Sequence, residues 1–272
     1  MVMKRTLFFL IGLFLSGYIQ AQLNWLNDLD AGKSLAIKTN KLIVMDFWAS
    51  WCQPCTVMDM RLWHDSEMQE ISKKIVGVKI NVDFDKNTAS LFNVTSIPRV
   101  IIITANGDIL WDKLGFDNAE NFLQIFRAIP GDLGELNKKS IILASKKKDP
   151  QANYSVGIEF QRIGKNIKDS ELKHSFLNFS DRCLAKAKNL CKDPALTEEI
   201  ELYSILNDVY FNRPEKALKT IGKMDPNPQN EDLAELRHFV LAKSYRMAND
   251  LDNYQKEKLQ IKNKELIDQL DD

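Results

Sequence analysis

The sequence predicts an α/β domain, built as a mixed central sheet flanked by helices, followed by an all-α helical domain. Two observations support this prediction. From Asn24 to about Pro130, short apolar runs alternate with segments of helical periodicity. Beyond Gly131-Asp132 helical periodicity continues without a convincing strand, and Lys, Glu, Leu and Ala dominate. We therefore expect three segments: a leader over residues 1–21, an α/β domain over residues 22–130 and a helical domain over residues 131–272.

The first half of the α/β domain is predicted to contain a helix, a strand and two helical pieces. A helix is expected over residues 24–40. The run from Leu42 to Ala49 is apolar and poor in helix formers, which predicts a strand buried on both faces. The next helix begins at Cys52, and Pro54 suits its first turn, where a missing N–H breaks no hydrogen bond. A second helical piece opens near Asp65-Ser66, which can cap it.

The second half of the domain adds a strand, a helix, two strands and a closing helix. Asn106-Gly107 separates the last two strands and is a strong hairpin signal, because both residue types tolerate positive φ. This order predicts a mixed sheet with helices on its faces. The five segments are residues 76–82, 88–92, 99–103, 109–111 and 118–128.

The helical domain contains a weak internal repeat. Leu206 and Tyr210 recur at Leu241 and Tyr245, a shift of 35 residues, and Asp225-Pro226 ends the first unit. The shift is close to the roughly 34-residue spacing of tetratricopeptide repeats, although most signature glycines and alanines are missing. Two interpretations stay open. A repeat-like packing would provide a surface for a protein partner, whereas an unclassified helical bundle would cover or dimerise the first domain.

Residues 1–21 have the pattern of a secretory signal. Lys4 and Arg5 are their only charges, and an apolar centre precedes a small-residue cleavage point that ends at Ala21. Cleavage after Ala21 would place the protein in the periplasm or outside the cell, and an uncleaved anchor is the alternative. The whole chain has 37 basic and 37 acidic residues, and cleavage would remove two of the basic ones. This near balance argues against nucleic acid or a membrane surface as an electrostatic partner.

The segment Cys52-Gln53-Pro54-Cys55 has the spacing of a redox-active cysteine pair. A helix start presents unpaired N–H groups and a positive dipole end, and both lower the pKa of a cysteine there. The alternatives are a zinc half-site and a pair of structural cysteines. Zinc requires four ligands, and the nearest candidate outside the pair is the single His64. We therefore predict no metal and no cofactor other than a Cys52–Cys55 disulfide.

Four segments share the order and nearly the spacing of segments in a known family: Asp46 to Cys55, Val78 to Asp83, Ser96-Ile97-Pro98 and Gly115. On these segments the sequence resembles the thioredoxin family over about residues 40–128. One further segment, Trp63 to Glu67, makes the stretch after Cys55 resemble the C-terminal thioredoxin-like domain of the membrane electron carrier that reduces periplasmic proteins. The resemblance implies a thioredoxin fold and a thiol:disulfide oxidoreductase.

The resemblance also implies catalytic roles. Cys52 is expected to be the nucleophile, and Cys55 to resolve the mixed disulfide; by its position at the helix end, Cys52 should be the more exposed. Asp46 is the only charged residue in an apolar strand, so burial should raise its pKa and let it act as a base for Cys55. Lys79 matches the family lysine that lies near this acid.

A second group of residues is expected to contact substrate. Pro98 matches the family's cis-proline opposite the dithiol, and Ile97 would offer backbone groups to an extended substrate. Arg99 departs from the small or β-branched residue common at this position, so it could add positive charge beside the site or simply reach solvent. Trp51 is expected to form part of an apolar rim, while Trp48 fits the core better. Gln53 and Pro54, between the cysteines, complete the group.

Two more cysteines lie in the helical domain. Cys183 and Cys191 fall on one apolar helical face, so core packing is the default expectation. In one unbroken helix they would lie about 12 Å apart along the axis, beyond the reach of a disulfide. They could bond only if the helix breaks between them.

The leading hypothesis is an exported thiol:disulfide oxidoreductase that reduces or isomerises disulfides of exported proteins. Because the sequence has no flavin or nicotinamide motif, its dithiol would be recharged by a membrane-embedded electron donor. The helical domain would select client proteins or set the oligomeric state. The alternative is a redox-sensing helical-repeat scaffold or binding protein whose first domain is not primarily catalytic.

Overall fold

The computed structural model describes residues 23–271, and the leader predicted for residues 1–21 lies outside them. The described residues contain one five-stranded sheet in the spatial order β1-β3-β2-β4-β5. Strands β1, β2 and β3 are mutually parallel, whereas β4 is antiparallel to both β2 and β5. The strands are β1 (Trp25–Leu26), β2 (Leu42–Trp48), β3 (Ile75–Asn81), β4 (Arg99–Ile103) and β5 (Ile109–Leu114).

Helices cover both faces of this sheet, which confirms the predicted fold class. Several begin at a side chain that accepts a backbone N–H, as Asp28, Asp85 and Asn118 do. The bounds are α1 (Leu29–Thr39), α2 (Gln53–Met58), a π-helical turn (Asp59–Trp63), α3 (Met68–Ile71), α4 (Lys86–Leu91) and α5 (Ala119–Arg127).

One predicted element differs from the structure at the start of the domain. The helix expected over residues 24–40 begins only at Leu29, and Trp25–Leu26 instead forms the edge strand β1 beside β3. The reason is tertiary: Trp25 pairs with Gly77, whose missing side chain leaves room for the Trp25 ring. Two strand residues are too few to leave a pattern in the sequence.

Alternation along β2 decides which helices each side chain meets. Ile43, Met45 and Phe47 point to the face that packs against α1 and against Phe92, the C-cap residue of α4. Leu42 and Val44 point to the opposite face, in one cluster with Met58 and Trp63 of the α2 and π-helical segment. Asp46 shares the parity of Leu42 and Val44. It therefore lies beneath the segment that follows the dithiol.

Helices continue to the end of the described residues. The helical segment contributes to three hydrophobic clusters, and the first of these also contains strand residues of the sheet. Val156, Phe160 and Phe176 join Val100 and Ile102 in that cluster. The boundary at residue 130 stays a prediction. The helices are α6 (Gly134–Ser145), α7 (Pro150–Gly164), α8 (Ser170–Leu190), α9 (Pro194–Tyr210), α10 (Pro214–Ile221), α11 (Glu231–Met247), α12 (Leu251–Lys258) and α13 (Lys264–Asp271).

The last five helices share a second core and include two helical pairs of matching length. Helices α9 and α11 each have 17 residues, and α10 and α12 each have 8. Asn212 and Asn249 occupy the left-handed region at the two turns, with φ of 61° and 60°. The tetratricopeptide-like repeat stays a prediction. Within residues 23–271, no helix combines the length and apolar character needed to cross a membrane.

Candidate active site

The cysteine pair lies where β2 passes into α2. Cys52 N–H donates to the carbonyl of Ala49 at 3.1 Å, which turns the chain, and Thr56 N–H donates to the Cys52 carbonyl at 3.2 Å, which starts the helix. Cys52 is the N-cap residue, and its Sγ accepts the N–H of Cys55 at 3.2 Å. Cys52 and Cys55 are joined by a disulfide. A helix N-terminus thus faces the sulfur of Cys52, and it would stabilise a thiolate there after reduction.

Both sulfurs are covered in this oxidised state. Cys52 is 3% exposed and Cys55 is 5% exposed, so the expectation that Cys52 is the more exposed is wrong. Trp48, Val82 and Ile97 pack against the pair. The position of Cys52 at a helix end predicted that it is exposed. Its exposure is instead decided by side chains that lie outside this helix and cover it.

The chain before β4 approaches the dithiol through a cis peptide bond between Ile97 and Pro98. The carbonyl of Pro98 accepts the N–H of Gly115 at 2.8 Å. Gly115 has φ of +79°, a conformation that favours glycine, so this residue type suits the turn after β5. The cis form matches what the resemblance implied for Pro98. Ile97 packs against the cysteine cluster, and its contact with substrate stays a prediction.

The Asp46 carboxyl is buried, with 2% exposure. Its Oδ2 accepts the indole N–H of Trp63 at 2.9 Å and lies 3.7 Å from Lys79 Nζ, while Oδ1 has no hydrogen-bond partner among the described residues. Burial raises the pKa of Asp46 to about 7, against the opposing effects of the Lys79 charge and the Trp63 hydrogen bond. An acid with this pKa can accept and release a proton near neutral pH.

Lys79 is shared between two carboxylates. Parallel pairing of β2 and β3 places it directly beside Asp46, and it also forms an ion pair with Asp59 of the π-helical turn. Its ammonium lies 5.1 Å from the ring centroid of Trp25 and 5.8 Å from that of Trp48. The structure therefore brings Lys79 and Asp46 together, as the resemblance implied.

Asp59 and Trp63 belong to this site, although no pattern in the sequence predicted a role for them. They lie at positions i and i+4 after the dithiol helix, which puts both on the side facing β2 and β3. This spacing can be read from the sequence. It indicates a role for the two residues only when a buried acid is known to lie beneath the π-helical turn. A π-helical turn is uncommon and often marks a functional site.

Two exposed aromatic side chains form an apolar rim: Trp51, next to Cys52 in the chain, and Phe84, in the turn after β3. Trp51 is 68% exposed, and its indole N–H donates at 3.0 Å to Oδ2 of Asp83, the residue before Phe84. Phe84 is 89% exposed. Gln53 and Pro54 are also exposed, whereas Trp48 is half-buried. Exposed aromatic surface of this kind suits an apolar partner.

Arg99 is partly exposed, and its guanidinium is engaged by a carboxylate and a backbone carbonyl. Its Nε and Nη2 donate to the two carboxylate oxygens of Asp112 at 2.7 and 2.5 Å, and Nη1 donates to the carbonyl of Asn93. The Asp112 carboxylate raises the pKa of Arg99. Because Asp112 offsets its charge, Arg99 adds little net positive charge beside the site. Its contact with substrate stays a prediction.

Replacing Arg99 with glutamine and Asp112 with asparagine together should therefore affect stability more than substrate choice. We expect the free energy of unfolding to fall by about 1 kcal/mol, since a bidentate, partly buried pair is lost. The relative rates on acidic and basic peptide disulfides should change less than about twofold, because the ion pair as a whole carries no net charge. Urea unfolding and competition assays measure the two effects, and a large change in peptide preference would contradict this account.

The remaining cysteines do not form a pair. Helix α8 is unbroken from Ser170 to Leu190, Cys191 is its C-cap residue, and both Cys183 and Cys191 are free thiols. Burial raises the pKa of Cys183 to about 11, so it is a poor nucleophile near neutral pH. Across residues 23–271 no group of three His, Cys, Asp or Glu side chains is placed to hold a metal ion.

Comparison with known proteins agrees with this geometry. A family model described as "Thioredoxin-like" matches residues 24–105. Thioredoxin from Haemophilus influenzae is 36% identical over 90 residues, which cover 33% of this chain and 80% of that protein. The chain belongs to the thioredoxin family. Thioredoxin from Buchnera aphidicola (subsp. Baizongia pistaciae) is 30% identical over 83 residues, 30% of this chain and 73% of that protein.

Among solved structures, the oxidised form of mitochondrial thioredoxin 3 from Saccharomyces cerevisiae matches 39% of this chain and 93% of its own, with 26% identity and a TM-score of 0.32. The first domain has the thioredoxin fold. Family membership, together with a bonded Cys-x-x-Cys pair, indicates a thiol:disulfide oxidoreductase.

Proposed function

We propose that this thioredoxin-family protein is an exported thiol:disulfide oxidoreductase that reduces or isomerises disulfides of exported proteins. The observation that carries the proposal is the placement of Cys52 and Cys55 at the start of a helix whose continuation covers the buried Asp46. Export is supported by the signal pattern of residues 1–21 alone. The helical domain would select clients.

In the reduced protein, the Cys52 thiolate attacks one sulfur of the substrate disulfide. A Cys52–substrate disulfide forms, the substrate S–S bond breaks, and the leaving substrate thiolate takes up a proton. Asp46 then accepts the proton of the Cys55 thiol, and the Cys55 thiolate attacks the sulfur of Cys52. The second substrate thiol leaves, and two electrons have passed from the dithiol to the substrate. The intramolecular attack needs no diffusional encounter.

The apolar rim of Trp51 and Phe84 would receive an unfolded or extended client. In an oxidising compartment the Cys52–Cys55 disulfide must be reduced again after each turnover. A membrane-embedded electron donor would supply the two electrons, since no nucleotide-cofactor motif was found in the chain. The proposed cycle therefore has two protein partners, a client and a donor.

The reduction potential of the Cys52–Cys55 pair tests the direction of this reaction. We expect a value nearer the roughly −270 mV of thioredoxin than the roughly −180 mV of protein disulfide isomerase, since Pro54 is kept between the cysteines as in reducing members of the family. Equilibration with glutathione of the Cys183→Ser/Cys191→Ser protein, followed by mass spectrometry, measures it without interference from other thiols. A value near −180 mV or above would assign net isomerisation or oxidation instead.

Export has its own test. N-terminal sequencing of the protein purified from its natural host should give Gln22 as the first residue of the mature chain. An N-terminus at Met1 in a cytoplasmic fraction would leave the oxidoreductase chemistry in place but remove the proposed class of clients.

A further inference from the structure

The Asp46 carboxyl group accepts one well-formed hydrogen bond from the described residues. The indole Nε1 of Trp63 donates to its Oδ2 at 2.9 Å, and both groups are buried. Lys79 Nζ lies 3.7 Å from the same oxygen, which exceeds hydrogen-bond distance. Asp46 Oδ1 has no hydrogen-bond partner among residues 23–271. The two oxygens of one carboxyl therefore have different surroundings.

The indole of Trp63 is held in place by aromatic rings from two other elements. Its ring meets Trp25 edge-on, with centroids 4.9 Å apart, and stacks on Phe126 at 5.8 Å with an interplanar angle of 15°. The side chain is 5% exposed. Edge-on and offset-stacked geometries are the favoured ones for aromatic pairs. The N–H is therefore preorganised toward Asp46.

The charged groups that face Asp46 come from two elements. Lys79 approaches from β3 and Asp59 from the π-helical turn, while the β4 residue paired with Asp46 is the apolar Val100. Lys79 divides its charge between the two carboxylates. An indole N–H differs from these groups, because it donates without gaining or losing a proton near neutral pH.

We propose that Trp63 is a positioning residue for proton transfer at the dithiol: its N–H binds Oδ2 of Asp46 and leaves Oδ1 to exchange the proton of Cys55. The donor stabilises the ionised carboxylate in a site where burial opposes ionisation. This inference rests on the proposed function, in which Asp46 is the base. Trp63 itself touches neither substrate nor the cysteines in this role.

The chain offers a matched pair of substitutions to test it. Trp63→Phe removes the N–H and keeps an aromatic ring beside Phe126. Trp111→Phe is the control, because Trp111 is equally buried at 5%, also packs against Phe126, and has an indole N–H without a hydrogen-bond partner among residues 23–271. Both lose similar packing. Only the first loses a hydrogen bond to Asp46.

The first readout is the titration of the Asp46 carboxyl carbon by NMR in the oxidised protein, where Cys52 and Cys55 do not titrate. We expect Trp63→Phe to lower the acid dissociation constant of Asp46 about tenfold, the factor that corresponds to roughly 1.4 kcal/mol. With the pKa of Asp46 at about 7, the ionised fraction at pH 7 then falls about fivefold. Trp111→Phe should leave the titration within about twofold of the unchanged protein.

The second readout is the pH profile of disulfide reduction, whose rising limb should move to higher pH in Trp63→Phe only. Equal titrations and equal pH profiles in the two variants would overturn the inference. The Asp46 titration requires no substrate, so it tests Trp63 even where the proposed reductase activity fails.

A measurement on the unchanged protein covers the case in which Trp63→Phe does not fold. The indole N–H resonance of Trp63 should titrate with the same midpoint as the Asp46 carboxyl, while that of Trp111 stays constant. A Trp63 resonance that does not follow the Asp46 titration would overturn the inference.

Discussion

Replacing Cys52 with serine is expected to abolish disulfide reduction, whereas replacing Cys55 with serine is expected to trap clients as covalent complexes. Without the Cys52 sulfur no mixed disulfide can form, so the rate should fall by about a thousandfold or more. Without Cys55 the mixed disulfide forms but has no internal thiol to resolve it. The two cysteines form one disulfide, yet the two substitutions should differ in outcome: Cys52→Ser should form no mixed disulfide, and Cys55→Ser should accumulate it.

Non-reducing and reducing gels of host extracts measure the difference. The Cys55→Ser complexes should appear on non-reducing gels and disappear with reductant. Both substitutions are best made in a Cys183→Ser/Cys191→Ser background, because those two free thiols could otherwise form adducts of their own. Absence of trapped clients, with partner binding by the helical domain intact, would instead support a redox-sensing scaffold.

Replacing Asp46 with asparagine is expected to stabilise the oxidised protein at high pH and to slow turnover. The folded pKa of Asp46, about 7, lies above its ordinary value of 3.8. The unfolded chain therefore loses this proton at lower pH than the folded one, so the stability present below pH 4 is lost as pH rises through 7. Asparagine does not ionise, so the Asp46→Asn protein does not lose this stability. We expect the substitution to raise the free energy of unfolding by on the order of 2–4 kcal/mol more at pH 8.5 than at pH 4.

Urea unfolding of the oxidised protein at pH 4 and pH 8.5 measures this gain. Asp83→Asn is the control, since Asp83 also accepts an indole N–H, from Trp51, but lies exposed at the surface. It should show no comparable dependence on pH. An equal gain for Asp46→Asn at both pH values would show that its carboxyl is not held protonated by burial.

The Asp46→Asn substitution should also slow the resolving step, since the Cys55 thiol would lose the base proposed for it. The rate loss expected for a general base is about a hundredfold or more, largest near pH 7. The Asp46→Asn substitution should then raise stability and lower activity. This combination is expected when a buried acid serves catalysis at the expense of folding stability.

Several features could be predicted because they depend on neighbours in the chain. Strand β2 followed from a run of apolar residues, and the start of α2 followed from Cys52 and Pro54. The burial of Asp46 followed from its position inside that run. The free state of Cys183 and Cys191 agrees with their spacing along an unbroken helix.

Other features depend on residues far apart in the chain. The Trp63 hydrogen bond to Asp46 spans 17 positions, and the Arg99 pair with Asp112 joins two strands. The low exposure of Cys52 results from Ile97 and Val82, which other elements bring to it. No local pattern encodes such contacts, because each depends on how separate elements pack.

By itself, then, the sequence determined the dithiol, the buried acid on the strand before it and the alternation of elements that forms the sheet. Each of these follows from periodicity or spacing within a few residues. Only the tertiary structure decided which groups surround the acid. The reason is physical: the pKa of Asp46 and the orientation of its two oxygens depend on burial and on Trp63, Lys79 and Asp59, which only packing brings together.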